Sequence, residues 1–347
     1  MPCLKTKSLT ISNKPDSDQN PRITFRNSFI EEIKTHSYLG LLFSNNLKWG
    51  EHIESIAVTA RNRLNMMLPL KYKLDRKTLE LIFQSFVLPV MEYGIPVWGG
   101  SHTCDIDKLE KINCDGMRLV TGAPAGSNIA KLYQDTKWTS VREKCARATL
   151  VMFYKILNKQ TPTYLSALVP THNPANTGYN LRNIDDLHNV HTRLDPHERS
   201  FFPRAIQLWN TLPIDDRKAH SLYAFKESLN RRNEKPDPLF YHGERLQSVY
   251  HTKLRMGCSE LNYDLCFNRH VSNNAACRCG ARFETASHYF MECPLYPVQR
   301  NNLRNSIEQI TTFRIKTILF GDESLELDQN KRIFDAVHKF ILSSKRF

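Results

Sequence analysis

An α+β fold in which helices predominate is what this 347-residue chain predicts. Three observations carry it. From Trp49 onward apolar residues recur at i, i+3, i+4 and i+7, the spacing that lines one face of a helix. Only residues 1–48 hold β-prone runs, and these are short enough to expect a few antiparallel strands. Near the far end, Cys277, Cys279, His288 and Cys293 form a Cys-x-Cys-x8-His-x4-Cys cluster, the sort of donor set around which a small unit can fold without a large core of its own.

The strand signals fall at 8–11, 22–25 and 38–43, with the polar stretch 13–21 between the first two. Ile53, Ile56, Ala57, Ala60, Leu64, Met67 and Leu68 then describe a helix that Pro69 ends. Leu79, Ile82, Phe83, Phe86 and Val90 repeat the pattern after Asp75. A third helix, 105–120, stops before Gly122, where a left-handed cap favours glycine. Ser140-x-x-Glu143 is a capping box that opens a fourth helix running to about residue 158. Its apolar face holds Val141, Cys145, Thr149, Met152, Phe153 and Ile156. Helical patterns resume at 201–209, 222–229 and 244–256, and after the cysteine cluster at 299–310 and 331–344.

Six segments follow in order: a strand region at 1–48, a helical domain at 49–168, a linker or long loop at 169–200, a helical region at 201–276, the zinc knuckle at 277–296 and C-terminal helices at 297–347. The linker assignment rests on Asn, His, Thr and Pro with little apolar periodicity.

Composition narrows the function. A formal net charge of +13 and a pI of 9.3 point to a polyanionic partner, most simply RNA or DNA. No run is long and apolar enough to predict a membrane span, and Met1-Pro2-Cys3-Leu4-Lys5 has no signal-peptide core. Nine cysteines without secretory features argue for thiols and metal ligands rather than disulfides. Cys3, Cys104, Cys114, Cys145, Cys258 and Cys266 are expected as thiols, and an intracellular site, nuclear or cytoplasmic, is the expected location.

For the four-residue cluster the expected cofactor is one structural Zn²⁺. Gly280 supplies the permissive backbone that a knuckle needs, and Pro294 closes the segment. Free cysteines beside a surface histidine are the alternative. The His-x4-Cys half matches a nucleic-acid-binding knuckle, so Arg278 and Arg282 are candidate charge contacts, and Tyr289 and Phe290 candidate stacking rings. Packing around the loop is the other role open to these two rings. On the 140–158 helix, Lys144, Arg147 and Lys155, with Lys159 beyond, form a basic stripe suited to phosphates or simply to solvent.

Several segments in collinear order resemble non-LTR, jockey-like retrotransposon reverse transcriptases. These are Tyr38-Leu39-Gly40-Leu41-Leu42-Phe43 with Leu47-Lys48-Trp49 and His52-Ile53; Leu88-Pro89-Val90-Met91-Glu92-Tyr93-Gly94 with Val97-Trp98; Leu109-Glu110-Lys111-Ile112; Thr121-Gly122; Ser200-Phe201-Phe202-Pro203 with Leu208-Trp209-Asn210-Thr211-Leu212-Pro213; Phe225-Lys226; and the Cys/Cys/His/Cys cluster with Glu284-Thr285. The resemblance implies the end of a polymerase palm, a helical thumb and a C-terminal region with a zinc knuckle. It further implies RNA or DNA as partner, with the intact polymerase as a candidate partner in trans.

Polymerisation by such enzymes needs carboxylates that hold two Mg²⁺ ions, and the resemblance places those carboxylates upstream of Tyr38-Leu39-Gly40. Residues 1–37 contain neither motif, so no Mg²⁺ site and no polymerase activity are expected of the isolated chain, whereas Ser344-Lys345-Arg346-Phe347 resembles a natural end of the reading frame. Asp185-Asp186 and Asp215-Asp216 are read as solvated or capping pairs. His188, His191 and His251 lack partners at a diagnostic spacing. A zinc-stabilised protein-interaction module, or a fragment of a longer active polymerase, is the competing reading.

Overall fold

The computed structural model describes residues 6–11, 23–25, 28–170, 186–190, 195–230 and 235–347. Helices dominate, and the strands are few and short. By its contacts the chain divides into two compact units. The first comprises Met1–Arg61, Leu88–Ile112 and Thr139–Arg232; the second comprises Asn62–Val87, Asn113–Trp138 and Asn233–Phe347. This division cuts across the expected segments 49–168 and 201–276. The reason is that packing partners lie far apart in sequence, which local periodicity does not register.

In the first unit, the expected strand at 38–43 is a hairpin. Thr35–Tyr38 pairs antiparallel with Leu41–Ser44, and Leu39 and Gly40 take φ of 48° and 77° at the turn. Two consecutive positive φ values match the twist of a two-residue hairpin loop. A second correction concerns Lys7–Ser8, which pairs parallel with Glu31–Glu32. The connection between them exceeds the dozen or so residues that a parallel crossover requires. Thr24–Phe25 and Ser28–Phe29 form the other antiparallel pair.

Several of the recurring motifs turn out to pack on one another. The Tyr93 hydroxyl donates to the Leu39 carbonyl at 2.8 Å. A Cβ added at Gly40 would lie 3.2 Å from the Tyr93 ring, and one at Gly94 would lie 2.7 Å from Leu41 Cδ2. His52 accepts from the Leu42 amide at 3.3 Å, and the fully buried Trp98 donates its Nε1 hydrogen to the Tyr93 carbonyl. The hairpin and the 88–98 segment are thus fixed together by backbone contacts that side-chain volume would break.

The Val141–Leu157 helix is the axis of the first unit and carries the expected capping box, Ser140 accepting from the Glu143 amide. It packs against the helices Ile95–Trp98, Phe201–Asn210 and Leu222–Asn230. With neighbours on several sides its buried arc is wider than a single stripe. Leu150 and Tyr154 are buried in addition to Val141, Cys145, Thr149, Phe153 and Ile156, whereas Met152 is only half-buried. Phe153, Tyr154, Trp209 and Phe225 form an aromatic cluster, with Tyr154 stacked on Phe225 at 4.5 Å. Part of the expected linker is anchored here. Leu187 is buried, and both its backbone groups are held by the Asn210 amide at 3.1 and 2.9 Å.

In the second unit, residues 76–87 form the helix Arg76–Ile82 followed by a wide turn, Phe83–Val87. Leu79, Phe83 and Val87 are its buried apolar residues, spaced by four, and Arg76 is buried at its start. A normal helix drifts off one face at that spacing, but a wide turn of more than four residues restores it. Immediately beyond lies Pro89, which has no amide hydrogen for the Ser85 carbonyl. The cap at Gly122 is as expected, with φ of 79°, and a Cβ there would meet Val249 at 2.5 Å. Arg245 donates to the carbonyls of Leu119 and Val120 at 2.9 and 2.6 Å, satisfying orphan acceptors at that helix end.

The largest core of this unit gathers Leu254, Tyr289, Phe290, Leu303, Ile307, Phe334, Val337 and Phe340 around the Leu327–Ser344 helix. Beneath it, the fully buried His251 bonds the Ile318 carbonyl at 2.9 Å and His338 at 3.2 Å. His338 faces His242, which pairs with Asp335 at 2.7 Å, and the buried Nδ1 of His338 has no hydrogen-bond partner among the described residues. Burial pushes both imidazoles down, His251 well below its ordinary value and His338 to about 4.

Two predictions follow from this packing. Gly122→Ala should destabilise the chain by about 1–3 kcal/mol in a denaturant titration, because both the backbone angle and the contact with Val249 oppose it. For the histidines, the unfolded chain binds protons below the ordinary value of 6.5 while the folded His338 binds one only near 4. Stability is therefore fully present above that ordinary value and is lost as pH falls toward the folded one, by at most about 1.4 kcal/mol per site per pH unit. Denaturant titrations between these limits should show a shallower pH dependence in His338→Phe, and parallel slopes would refute the assignment.

Candidate metal centre

The chain around the cysteines is a knuckle followed by a wide turn. Cys277 and Ala281 are joined by a backbone hydrogen bond at 2.9 Å, and Ala275 and Glu284 by one at 2.8 Å. Between them the Gly280 amide closes onto the Cys277 carbonyl. Gly280 takes φ of 96°, as the tight turn demands. Thr285 then caps the next turn, its hydroxyl accepting from the His288 amide at 3.1 Å. His288–Glu292 is a π-type turn, and the Cys293 amide reaches back to the His288 carbonyl at 2.8 Å. In an ordinary helix residues five apart point about 140° from each other. The wide turn brings His288 and Cys293 to the same side.

The result is four donor atoms within 4.8 Å of one another. Cys277 Sγ and Cys293 Sγ are 3.7 Å apart, and Cys279 Sγ and His288 Nε2 are 3.3 Å apart. A tetrahedral Zn²⁺ with bonds of about 2.3 Å to sulfur sets its ligands about 3.8 Å apart, so the spacing fits a single ion and is too long for a disulfide. The chemistry of the set fits as well. Three cysteines and one imidazole close a four-coordinate shell with no open position, the arrangement of a structural rather than a catalytic site. His288 Nδ1 is turned toward Glu292 at 3.6 Å, leaving Nε2 for the metal.

Without an ion these thiols are poorly matched. Burial pushes Cys277 and Cys293 up, toward the neutral form, whereas the Ala281 backbone amide draws Cys279 down to about 7. A bound cation would hold all three as thiolates. Support comes from Glu284, buried beside Cys277, which is clamped by Arg346 at 2.7 and 2.6 Å and accepts from the Asn262 amide.

The nucleic-acid candidates divide. Arg278 and Arg282 are exposed beside the knuckle. Tyr289 and Phe290 are fully buried in the core, 4.9 Å apart and packed on Phe340, so they cannot stack on a base, and the expectation of that role is corrected to packing. The wide turn that aims His288 and Cys293 at the metal aims the two residues after His288 inward. Lys144 is spent on Glu92 at 2.7 Å, and Arg147 and Lys155 are half-buried. Lys159 lies beyond the helix end with φ of 55° and is exposed, so the four do not form one continuous helical stripe.

An exposed aromatic patch was missed by the sequence reading. Tyr263, Phe267 and Phe283 stand 4.9, 5.9 and 6.0 Å apart, with the Arg282 guanidinium 5.0 Å over Phe283. The Tyr263 amide donates to the Glu284 carbonyl, which ties the patch to the knuckle. The basic-aromatic pair Arg282-Phe283 was the available signal; Tyr263 and Phe267, on the far side of the cluster, gave none.

Other residues weighed from sequence have structural roles. Asp186 pairs with Arg217 at 2.7 Å, and Asp215 and Asp216 sit in the first turn of Ile214–Arg217. Cys114, Cys145 and Cys258 are buried and Cys104 exposed. Cys3, Asp185 and His191 lie outside the described residues. Among the described residues no helix is long and apolar enough to cross a membrane.

The chain has relatives among mobile-element polymerases. Over 154 residues, 43% of its length, it is 25% identical to the probable RNA-directed DNA polymerase from transposon BS of Drosophila melanogaster, covering 16% of that protein. Over 127 residues, 36% of its length, it is 24% identical to the RNA-directed DNA polymerase from mobile element jockey of Drosophila funebris, covering 14%. Over 121 residues, 33% of its length, it is 25% identical to the probable RNA-directed DNA polymerase from transposon X-element of Drosophila melanogaster, covering 13%. The chain therefore spans less than a fifth of the length of these curated relatives. These relatives agree with the resemblance to jockey-like non-LTR retrotransposon polymerases carried by its motifs. No family model matches the chain, and no solved structure matches it.

Elemental analysis of the purified chain should find one zinc per molecule, absent from Cys277→Ser. Because Tyr289 and Phe290 sit in the main core of the second unit, chelation should raise hydrogen exchange through the helices Pro297–Glu308 and Leu327–Ser344 as well as the knuckle. Structural zinc supplies about 10–16 kcal/mol to isolated zinc-finger peptides, so a loss of several kcal/mol is expected here. Exchange confined to residues 277–293 would contradict that coupling.

Proposed function

We propose that this chain, similar over part of its length to retrotransposon RNA-directed DNA polymerases, binds single-stranded RNA or DNA through a surface that a structural Zn²⁺ holds in place. The observation that carries the reading is the cluster of exposed Phe267 and Phe283 with the half-buried Tyr263 and Arg282 over it, built onto the knuckle that also presents Arg278. Aromatic faces accept any base by stacking, and arginines beside them neutralise phosphate. The net charge of +13 supports a polyanionic ligand. Lys159 is the member of the basic series best placed for a phosphate contact, being exposed.

The role is binding rather than polymerisation. Asp186 is committed to an ion pair and Asp215 and Asp216 to a helix start, so we read none of these three as a Mg²⁺ ligand. Work inside the cell, in nucleus or cytoplasm and alongside an intact polymerase in trans, is consistent with this role.

Fluorescence anisotropy with single-stranded RNA and DNA at two salt concentrations tests the reading. Phe283→Ala or Phe267→Ala should weaken binding by about 1–3 kcal/mol for each base that loses its stacking partner. Arg278→Ala and Lys159→Ala should each lower the salt dependence by about one counterion. Affinity that is absent at low salt, or unchanged in all four variants, would falsify the proposal.

A further inference from the structure

A second feature of the Asn62–Val87, Asn113–Trp138 and Asn233–Phe347 unit has no part in the metal centre. A cavity of about 570 Å³ opens there, with Arg255 and Asp135 in its lining. Both are buried, and behind them lies the buried Arg76. Arg76 Nη1 is 2.7 Å from Asp135 Oδ1, while Arg255 Nε and Nη2 are 3.0 and 2.6 Å from Oδ2. Two guanidinium groups thus share one carboxylate. One further carboxylate, Asp237, stands in the lining against three lysines, so positive charge is in excess there and an anion that enters only in the folded state would relieve it.

Arg255 also has a donor to spare. Of its five N–H bonds, those on Nε and Nη2 are engaged by Asp135 and Thr252, but Nη1 has no hydrogen-bond partner among the described residues. At 8% exposure the group is held rigidly, its guanidinium 3.7 Å over the Phe240 ring. Lys131, Lys137 and Lys235 add positive charge around the cavity, and Lys131 is positioned by a 2.9 Å bond to the Met256 carbonyl. The other lining carboxylate, Asp237, is occupied in capping the Leu239 amide at 2.9 Å.

The rest of the lining is Gln134 and an apolar wall formed by Phe240, Met256 and Phe320. A bare inorganic anion has no use for such a wall, and an apolar ligand has none for four cations. A cavity of this size falls in the range that encloses a small organic ligand. We propose that it binds a nucleotide, the phosphate taken by Arg255 and the lysines and the base laid against the apolar wall. The ligand is either a free mononucleotide or the phosphorylated end of a strand. The cavity and the Tyr263, Phe267 and Phe283 patch use different residues, so one can fail without the other.

Isothermal titration of the full chain with AMP, adenosine, inorganic phosphate, and an oligonucleotide with or without a 5′ phosphate tests the site. AMP should bind at least about tenfold tighter than adenosine or phosphate. Lys235→Gln and Lys131→Met should each erase most of that preference with unchanged thermal melting, whereas Phe283→Ala should leave it intact. A preference for the 5′-phosphorylated oligonucleotide that depends on Lys235 would identify strand ends as the ligand, and a preference for AMP alone would identify the free nucleotide. Neither preference, or a preference indifferent to both lysine substitutions, overturns the assignment.

Discussion

The five-residue turn His288–Glu292, closed by Cys293, serves two masters, and the second unit is organised around that constraint. Its widened pitch sets His288 and Cys293 on the side of Cys277 and Cys279, and it sets Tyr289 and Phe290 into the core against Phe340. Relaxation to an ordinary helical pitch would misalign one pair or the other. An ion held by the four donors and apolar burial would therefore reinforce each other, since either one fixes the pitch that the other needs. Glu284 extends the arrangement, bracing the knuckle through Arg346 and carrying the Tyr263 and Phe283 patch on its backbone.

The motifs shared with retrotransposon polymerases are mostly structural in this chain. Tyr93 and Gly94 are bound to Leu39, Gly40 and Leu41; Trp209 and Phe225 build an aromatic core; Asn210 clamps Leu187. Contacts of this kind are what a scaffold requires. Nucleic-acid contacts, by contrast, are assigned to exposed and unremarkable positions such as Phe267 and Lys159, which tolerate change more readily.

Much of the fold was legible in local pattern, because its signals are local. The Ser140 capping box, the Gly122 cap and the helix ends near Met67 and Met256 all depend on neighbours within one or two turns. The four-donor cluster was legible for the same reason, all its members lying between residues 277 and 293. What escaped was non-local or aperiodic. The wide turn at Phe83–Val87 shifted burial onto Val87, which a 3.6-residue period did not select. Asp135 meets Arg76 and Arg255 from 59 and 120 positions away. Tyr289 and Phe290 carried no mark to tell stacking rings from packing rings, since an aromatic beside a candidate ligand histidine reads alike in either role.

The close approach between Gly40 and Tyr93, mirrored by that between Gly94 and Leu41, has an evolutionary corollary. Each glycine makes room for a side chain presented by the other segment, so neither segment can gain bulk unless its counterpart sheds some. Divergence at these positions is then a paired walk. Copies of such elements that accumulate substitutions without selection on the folded chain should lose this reciprocity early, and copies still making a folded protein should retain it even where their surfaces have been rewritten.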